Sequence, residues 1–542
     1  MTAALATAPA VAQQSRAGRA IGRLAVRQIR RGALIVIGVC AGVSALVAAQ
    51  YQSTFESEMS QQAIEALASN PAIRVLFGPA VALDDPGGFT VWRTGTPVMI
   101  IAGVWLMLAA IRVTRGDEDA GRWDLLLAGR LRTVDVITHH LVVILVAALM
   151  TSASIGVALV AVGTDAIGAL TYAVGVLGVT AAFGMTGLAS GQLMSSRGAA
   201  VGLAVGVLGM SLMLRMLADG VDALSFAAWL TPFGLVSRAA PYAHNEPLPL
   251  AVLAALTLVV AAVAVAAAHG RDVGRGWVSA RSHRAPQTRL LGSVAAFTIR
   301  RAVRSTLGWA VAIGAYFLLV GAMIASILQF FDQNPRFAEL TAAAGFGGLG
   351  TAAGFAAALF GLLAIPTGLY AATRLSAVVA DERAGRSAML LAAPKTREGI
   401  LGAEIGTSAA GVIALHGVAA LGMWAGAELT GAPLALADAV AGAVNTAPVA
   451  LLALGAAAFA VGWLPGAVSA IGAIPVVGGF LLNVIADSVG APTWVSNISP
   501  FVHVAATPAA APNWHATAVF LLITAALSTA GAVGYRHRDT GV

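Results

Sequence analysis

Residues 249–268 read P-L-A-V-L-A-A-L-T-L-V-V-A-A-V-A-V-A-A-A, twenty positions without a charge. At ~1.5 Å per residue, twenty helical residues cover ~30 Å, the hydrocarbon thickness of a bilayer. A helix apolar on every side belongs in lipid or deep inside a large core. Comparable runs fall at 32–50, 97–113, 139–163, 169–194 and 199–217 before it. After it come 306–328, 352–373, 402–426, 435–461, 466–485 and 516–535, with 435–485 the hardest stretch to divide. The whole chain of 542 residues is 58% hydrophobic and 11% charged, with mean hydropathy +0.84. Soluble proteins carry about 25% charged and 45–50% apolar residues, so a water-soluble enzyme is excluded. Unbroken runs, without period-2 alternation, argue against a β-barrel. The expected fold is an all-α polytopic membrane protein with twelve transmembrane helices.

The charges orient these spans. Of 32 basic residues, 27 lie in the 1–31 segment, in alternate loops and in the C-terminal tail. The opposite side and the spans hold only Arg74, Arg93, Arg215, Arg238 and Arg336, against fourteen acids. The positive-inside rule then places both termini in the cytoplasm, in a cell inner (plasma) membrane. The net charge of +7 therefore reads as topology and not as a nucleic-acid surface. The N-terminus does not read as a cleaved signal peptide. Arg19, Arg23, Arg27 and Arg30 on one side, with Ile21, Leu24, Ala25 and Gln28 on another, suit an interfacial amphipathic helix. A plain positive-inside anchor reads equally well. A single cysteine, Cys40, leaves no intrachain disulfide or cysteine-built metal site.

The chain repeats itself. D-E-D-A-G-R-W-D-L-L-L-A at 117–128 matches D-E-R-A-G-R-S-A-M-L-L-A at 381–392 in eight of twelve positions, at an offset of 264. Ile29-Arg30-Arg31 returns as Ile299-Arg300-Arg301, Ala218-Asp219 as Ala486-Asp487, and Arg271-Asp272 as Arg538-Asp539. Pro232-Phe233 returns as Pro500-Phe501. Weak matches in one order at nearly one offset identify two copies of a six-span unit. An even span count makes the halves parallel, and a pathway between such halves suits transport. The expected divisions are 1–31, 32–268, 269–305, 306–535 and 536–542: interfacial helix, first half, linker with a second interfacial helix, second half and tail.

In each half, the segment between the second and third spans is long and amphipathic. Asp117-Glu118 and Asp381-Glu382 near its start suit a helix N-terminus. Glu118 with Arg122, and Glu382 with Arg386, have the spacing of i,i+4 ion pairs. Gly121 and Gly385 allow a bend. Leu125, Leu126 and Leu127, and Met389, Leu390 and Leu391, give each segment an apolar face. Such a helix can dock into a groove on a soluble partner or lie on lipid; its presence in both halves favours docking.

D-E-R-A-G-R-S-A-M-L-L-A-A-P-K-T-R at 381–397 resembles the coupling-helix loop of type-2 ABC exporter permeases. With two fused halves, the chain is most similar to the actinobacterial polyketide-antibiotic (tetronasin-type) and multidrug exporter permeases. The resemblance implies an ATP-driven exporter of amphipathic drugs, antibiotics or lipid-like compounds. It assigns ATPase coupling to Asp117, Glu118, Gly121, Arg122, Asp381, Glu382, Gly385 and Arg386. It also implies two copies of a separate ATPase subunit, which would bind ATP and Mg. No G-x-x-x-x-G-K-[ST] occurs, and Lys395 is the sole lysine, so this chain builds no P-loop of its own. The first copy departs from the pattern: Gly129-Arg130 replaces Ala393-Pro394.

In the resembling family the substrate path lies between the second and fifth spans of each half. That points to Trp105, Met107, Met210, Met213, Phe355, Phe360 and Phe480. Arg215, near the end of the fifth span, reads as a snorkelling or a gating residue, and Asn483 stands at the matching place in the eleventh. The outer segment 51–95, with an amphipathic stretch between Phe55 and Ala68, is either a lid or a surface insertion. The competing reading is a proton-coupled drug antiporter of the major-facilitator type, whose loop motif D-E-R-A-G-R partly imitates. The fifteen or so residues after Arg386 and the long segments 218–248 and 486–515 argue against it. An intramembrane enzyme would need clustered acids and histidines; His139-His140 stands without such a set, and no metal site is expected.

Overall fold

The computed structural model describes residues 7–51, 74–75, 77–129, 131–220, 222–278, 291–335, 347–386, 390, 395–488 and 491–538. Every regular element among them is helical. The chain divides into two compact units, Met1–His283 and Arg284–Val542, which are described separately.

The first unit comprises α1 (Thr7–Ala49), α2 (Pro86–Ile111), α3 (Arg122–Leu127), α4 (Thr133–Ala161), α5 (Ala166–Leu193), α6 (Arg197–Gly220), α7 (Pro232–Ala239) and α8 (Pro247–His269). Helix α1 passes residue 31 without a break. Its buried stripe is Ile21, Ala25, Ile29, Val36, Cys40, Ser44 and Ala48, one or two turns apart, while Arg19, Arg23, Arg27 and Arg30 stay exposed. This is the 3.6-residue period of a helix with one packed face. Leu24, expected on the apolar side, is exposed. Helix α2 starts at an Asp85 cap, whose carboxylate accepts from Gly87 N at 2.7 Å and Gly88 N at 3.1 Å, with Pro86 at the first helical position. Those are the residue types such a start favours. Its far end passes into a π-helical turn, Arg112–Gly116, and one more helical turn, Asp117–Asp119. Helices α2 and α5 approach closely: a Cβ at Gly187 would lie 2.5 Å from the Met107 carbonyl oxygen. Small residues permit this backbone approach, which drives helix association in lipid.

The second unit comprises α9 (Val294–Ala322), α10 (Ile324–Gln333), α11 (Ala352–Arg383), α12 (Arg397–Leu429), α13 (Leu436–Asn445), α14 (Ala447–Trp463), α15 (Val468–Ala473), α16 (Gly479–Ser488) and α17 (Trp514–His537), with a further turn at Thr493–Ser496. A Cβ at Gly426 would meet the Leu318 carbonyl oxygen at 2.1 Å, and one at Gly531 the Ala458 carbonyl oxygen at 2.2 Å, so α9 with α12 and α14 with α17 use the same device.

Eleven helices among the described residues are long and apolar enough to cross a membrane, six in the first unit and five in the second. The protein is a multi-pass membrane protein. The sequence run at 466–485 differs from the rest. It forms a shorter apolar helix, Val468–Asn483, interrupted by a π-helical turn at Ile474–Gly478 that contains Pro475. Proline cannot donate to the helical ladder, and the π turn absorbs the lost bond. The Phe55–Ala68 stretch lies outside the described residues, as do Met389, Leu391 and Pro394.

Candidate functional site

The duplicated acids sit at the last turns of α2 and α11, at the arginine-rich end of each unit. This corrects their expected place at a helix N-terminus. A helix C-terminus carries partial negative charge, so carboxylates there need cations. The expected i,i+4 pairs are also absent. Arg122 bonds Asp117 at 2.6 Å, and Arg386 bonds Asp381 at 2.7 Å, not Glu118 and Glu382. The reason is local: Gly121 (φ +71°) and Gly385 (φ +67°) end the helix in a left-handed turn, which breaks the spacing that i,i+4 pairing requires.

In the first unit Glu118 is buried. It accepts from Arg271 Nη1 and Nη2, both at 2.6 Å, and from the Gly274 backbone N at 2.7 Å. Arg115, wholly buried, lies 3.1 Å from the same carboxylate and 3.2 Å from Asp119. Arg271 Nε also donates to Gln192 on α5 at 2.8 Å, and the Arg197 backbone N at the start of α6 donates to Asp119 at 2.7 Å. Asp117 accepts from Gln28 of α1 at 2.8 Å. The segment after α8 thus clasps the end of α2, and α1, α5 and α6 are tied to it.

The second unit builds a related clasp. Glu382 accepts from the Tyr535 hydroxyl at 2.5 Å and pairs with Arg538. Arg538 also donates to the Val461 carbonyl at 2.5 Å and accepts from Arg397 through its own carbonyl at 2.7 Å. Asp381 pairs with Arg301 of α9. Glu404 of α12, 2% exposed, is held by Arg374 at 2.8 Å and Arg301 at 3.3 Å. In both units, then, an arginine following the last long helix holds the second acid at the end of the second long helix.

Helix α3 lies beyond the first clasp. Trp123 is fully buried against Ile21, Val136, Ile137 and Ala268, with the Arg271 guanidinium 5.7 Å from its ring centroid. Leu125 points the other way and is 83% exposed, flanked by exposed Arg122 and Asp124. The arrangement is a short helix pinned by Trp123, with half-buried Leu126 and Leu127 packed beside it, that presents Leu125 outward. In the second unit only Leu390 of the equivalent apolar trio is described.

The path residues scatter. Met107 and Phe360 are fully buried in the cores of their own units, Phe360 stacked on Phe317 at 5.3 Å. Phe355 is buried and Trp105 half-buried. Met210 is 67% exposed on α6, with Met213 half-buried. Phe480 packs edge-on against Phe501 at 5.9 Å, and Asn483 is half-buried. Arg215 neither snorkels nor faces open space: it is 1% exposed and pairs with Asp219 at 2.5 Å. The segment before α2 covers this pair, since a Cβ at Gly78 (φ +98°) would lie 2.2 Å from Arg215 Nη2. Val75 likewise packs against Gly220. Among the described residues no group of three or more metal-ligating side chains occurs.

Arg271, Arg538, Tyr535 and Trp123 are the functional candidates that motif reading passed over. Arg271 and Arg538 had already surfaced as repeat markers. A cation recurring at one place in both copies, opposite a recurring acid, is the signal that pairs them. Tyr535 and Trp123 had no such signal, because each occurs in only one copy.

Fold and site together define a polytopic helical membrane protein. Residues 291–536 match the family described as "multidrug efflux system permease Rv1217c, C-terminal domain". The chain is also similar to the multidrug efflux system permease protein Rv1217c of Mycobacterium tuberculosis (strain H37Rv), 27% identical over 486 residues, covering 88% of this chain and 86% of that one.

Proposed function

We propose that this chain is the membrane subunit of an ATP-driven exporter that moves amphipathic small molecules out of the cell. In this reading the arginine-rich ends of both units, and both termini, face the cytoplasm of the inner membrane. Val468–Asn483 and the eleven long helices then make twelve spans in two parallel six-span halves. A separate ATPase, in two copies, binds ATP and Mg and docks under the turns at Gly121 and Gly385. The observation that carries the proposal is α3: Trp123 is buried, Leu125 is 83% exposed, and the Arg271 guanidinium that holds Glu118 at the end of α2 also stands over the Trp123 ring. A helix face with one projecting apolar anchor suits a groove on a soluble partner. Force on α3 would pass into α2 through the buried Glu118–Arg271–Arg115 network, because neither charge can be left unpaired cheaply.

Within this proposal Asp117, Glu118, Asp381 and Glu382 act by holding the docking turns, while Arg122 and Arg386, about two-thirds exposed at 62% and 65%, face the partner. The test is copurification of an ATPase with the tagged chain from its native membrane. Vesicles holding both components should then export a fluorescent amphipathic dye only with ATP. Export by the purified chain alone, driven by a proton gradient, would overturn the proposal.

A further inference from the structure

The two clasps differ in what fills the space beside them. In the first unit that space holds Trp123, buried on all sides. The twelve-residue repeat sets Trp123 opposite Ser387, a residue outside the described set, so the second copy carries no indole there. At the corresponding place the second unit has a cavity of about 260 Å³, lined by Phe297, Arg301, Asp381, Ile400, Glu404 and Tyr535 among others. The offset of 264 relates Asp381, Ile400 and Glu404 to Asp117, Val136 and His140, and Val136 is one of the residues that packs around Trp123.

We propose that this cavity binds the ring of a small planar aromatic molecule, seated where the first unit seats its own tryptophan. The walls have the chemistry for it. Phe297 and Ile400 offer apolar surface, and the guanidinium of Arg301 stands at the cavity as that of Arg271 stands over Trp123. Cation–π attraction of this kind favours an electron-rich ring. The charged groups of the lining are matched two against two: Asp381 is held by Arg301 and Arg386, and Glu404 by Arg301. The lining itself carries no net charge, so the ligand is a neutral ring and not an organic ion. The volume lies just below the ~300–1,000 Å³ of ordinary ligand pockets, which limits the occupant to about a bicyclic ring. Bound there, the ring supplies beside the turn at Gly385 the packing that Trp123 supplies beside the turn at Gly121. The proposal does not depend on the transport reading, because binding is measured on this chain alone.

The probe is 5-fluoroindole, followed by fluorine NMR on the purified full-length chain in lipid nanodiscs, with empty nanodiscs setting the non-saturable background. One saturable equivalent per chain is expected. Leu390→Trp, which places an indole on a lining residue, should weaken that binding at least tenfold, and so should Ile400→Phe. Both variants are screened for monodispersity, and either one that passes suffices. Absence of a saturable site in the wild-type chain overturns the proposal, and so does unchanged affinity in a well-folded filled variant. The second result would mean that the ring binds elsewhere.

Discussion

Glu118 and Arg271 stand 153 residues apart and meet in a two-pronged ion pair, each carboxylate oxygen 2.6 Å from a guanidinium nitrogen. Both side chains are at most 2% exposed. The pair closes the first unit at its arginine-rich end, because it joins the turn that follows α2 to the second residue beyond α8. Removing Arg271 takes the two-pronged partner from a buried carboxylate and leaves it Arg115 at 3.1 Å and the Gly274 N–H, a loss below the roughly 3–5 kcal/mol of a wholly uncompensated buried charge. Arg271→Ala should therefore lower the unfolding temperature of the purified chain markedly. Arg271→Lys should recover only part of it, since an ammonium cannot span both oxygens. Thermal unfolding followed by circular dichroism checks this; an Arg271→Ala chain as stable as the parent would show that the pair is not a structural closure.

The second unit makes the same prediction at Arg538 with a different profile. Glu382 keeps the Tyr535 hydroxyl at 2.5 Å when the arginine is lost. Arg538→Ala should accordingly destabilise the second unit, since only a neutral hydroxyl remains on Glu382, and Arg538→Ala with Tyr535→Phe should be worse than the sum of the single changes. A double-mutant cycle on unfolding temperatures measures that coupling.

Reversing all four charges of the two motif pairs confounds two effects, since Glu118 is buried while Arg122 is 62% exposed. Glu118→Arg should prevent folding. Arg122→Gln with Arg386→Gln should lower the unfolding temperature only modestly, because the arginine end of each pair is exposed and such pairs contribute about 0–1 kcal/mol, yet abolish coupling to the ATPase. The readout is drug-stimulated ATP hydrolysis in the reconstituted complex; full stimulation in the exposed double variant would remove these arginines from the partner surface.

What the sequence disclosed and what it concealed follow from the range of the interactions. Spans are local: twenty apolar residues announce themselves, and eleven long helices stand where such runs lie. The short helix Val468–Asn483 was legible as a run but not as a broken helix, because Pro475 alone does not say whether the ladder bends or closes around it. The acids were found through repetition, yet their partners lie about 150 residues away. Nearby arginines at i,i+4 drew the pairing to themselves only because helix continuation through Gly121 was assumed. Trp123 read as one apolar residue of the loop, and its burial depends on α1, α4 and α8 converging on it.

Leu125 and Trp123 separate docking from folding within a single turn of helix. Trp123→Ala should cost about 3–5 kcal/mol, the range for emptying a buried aromatic site, and should lower the unfolding temperature with or without the partner. Leu125→Asp removes an 83% exposed side chain and should leave the isolated chain's stability within about 0.5 kcal/mol, while weakening the partner ATPase's binding at least tenfold. Pull-down titration against the ATPase gives the affinity, and thermal unfolding gives the stability. Loss of stability in Leu125→Asp would place that leucine inside the fold, and unchanged affinity would leave α3 without a docking role.

The pair Arg215–Asp219 offers the last test, at the opposite end of α6. Its two groups lie 2.5 Å apart and almost unexposed, beneath Gly78, whose φ of +98° is one that L side chains rarely adopt. Alanine there is strained by its backbone and must also displace the guanidinium 2.2 Å away, so Gly78→Ala should destabilise by more than about 1 kcal/mol. Asp219→Asn strips the buried arginine of its counter-charge and should cost more, about 3–5 kcal/mol. If the segment before α2 is only a cover, both variants that fold should transport at the parental rate once temperature is lowered to restore the folded fraction. If the cover must lift for substrate to leave, Gly78→Ala should raise the basal, drug-independent ATPase rate of the complex, because it weakens the closed arrangement without touching the docking helix. Basal ATP hydrolysis measured at matched folded fraction distinguishes the two.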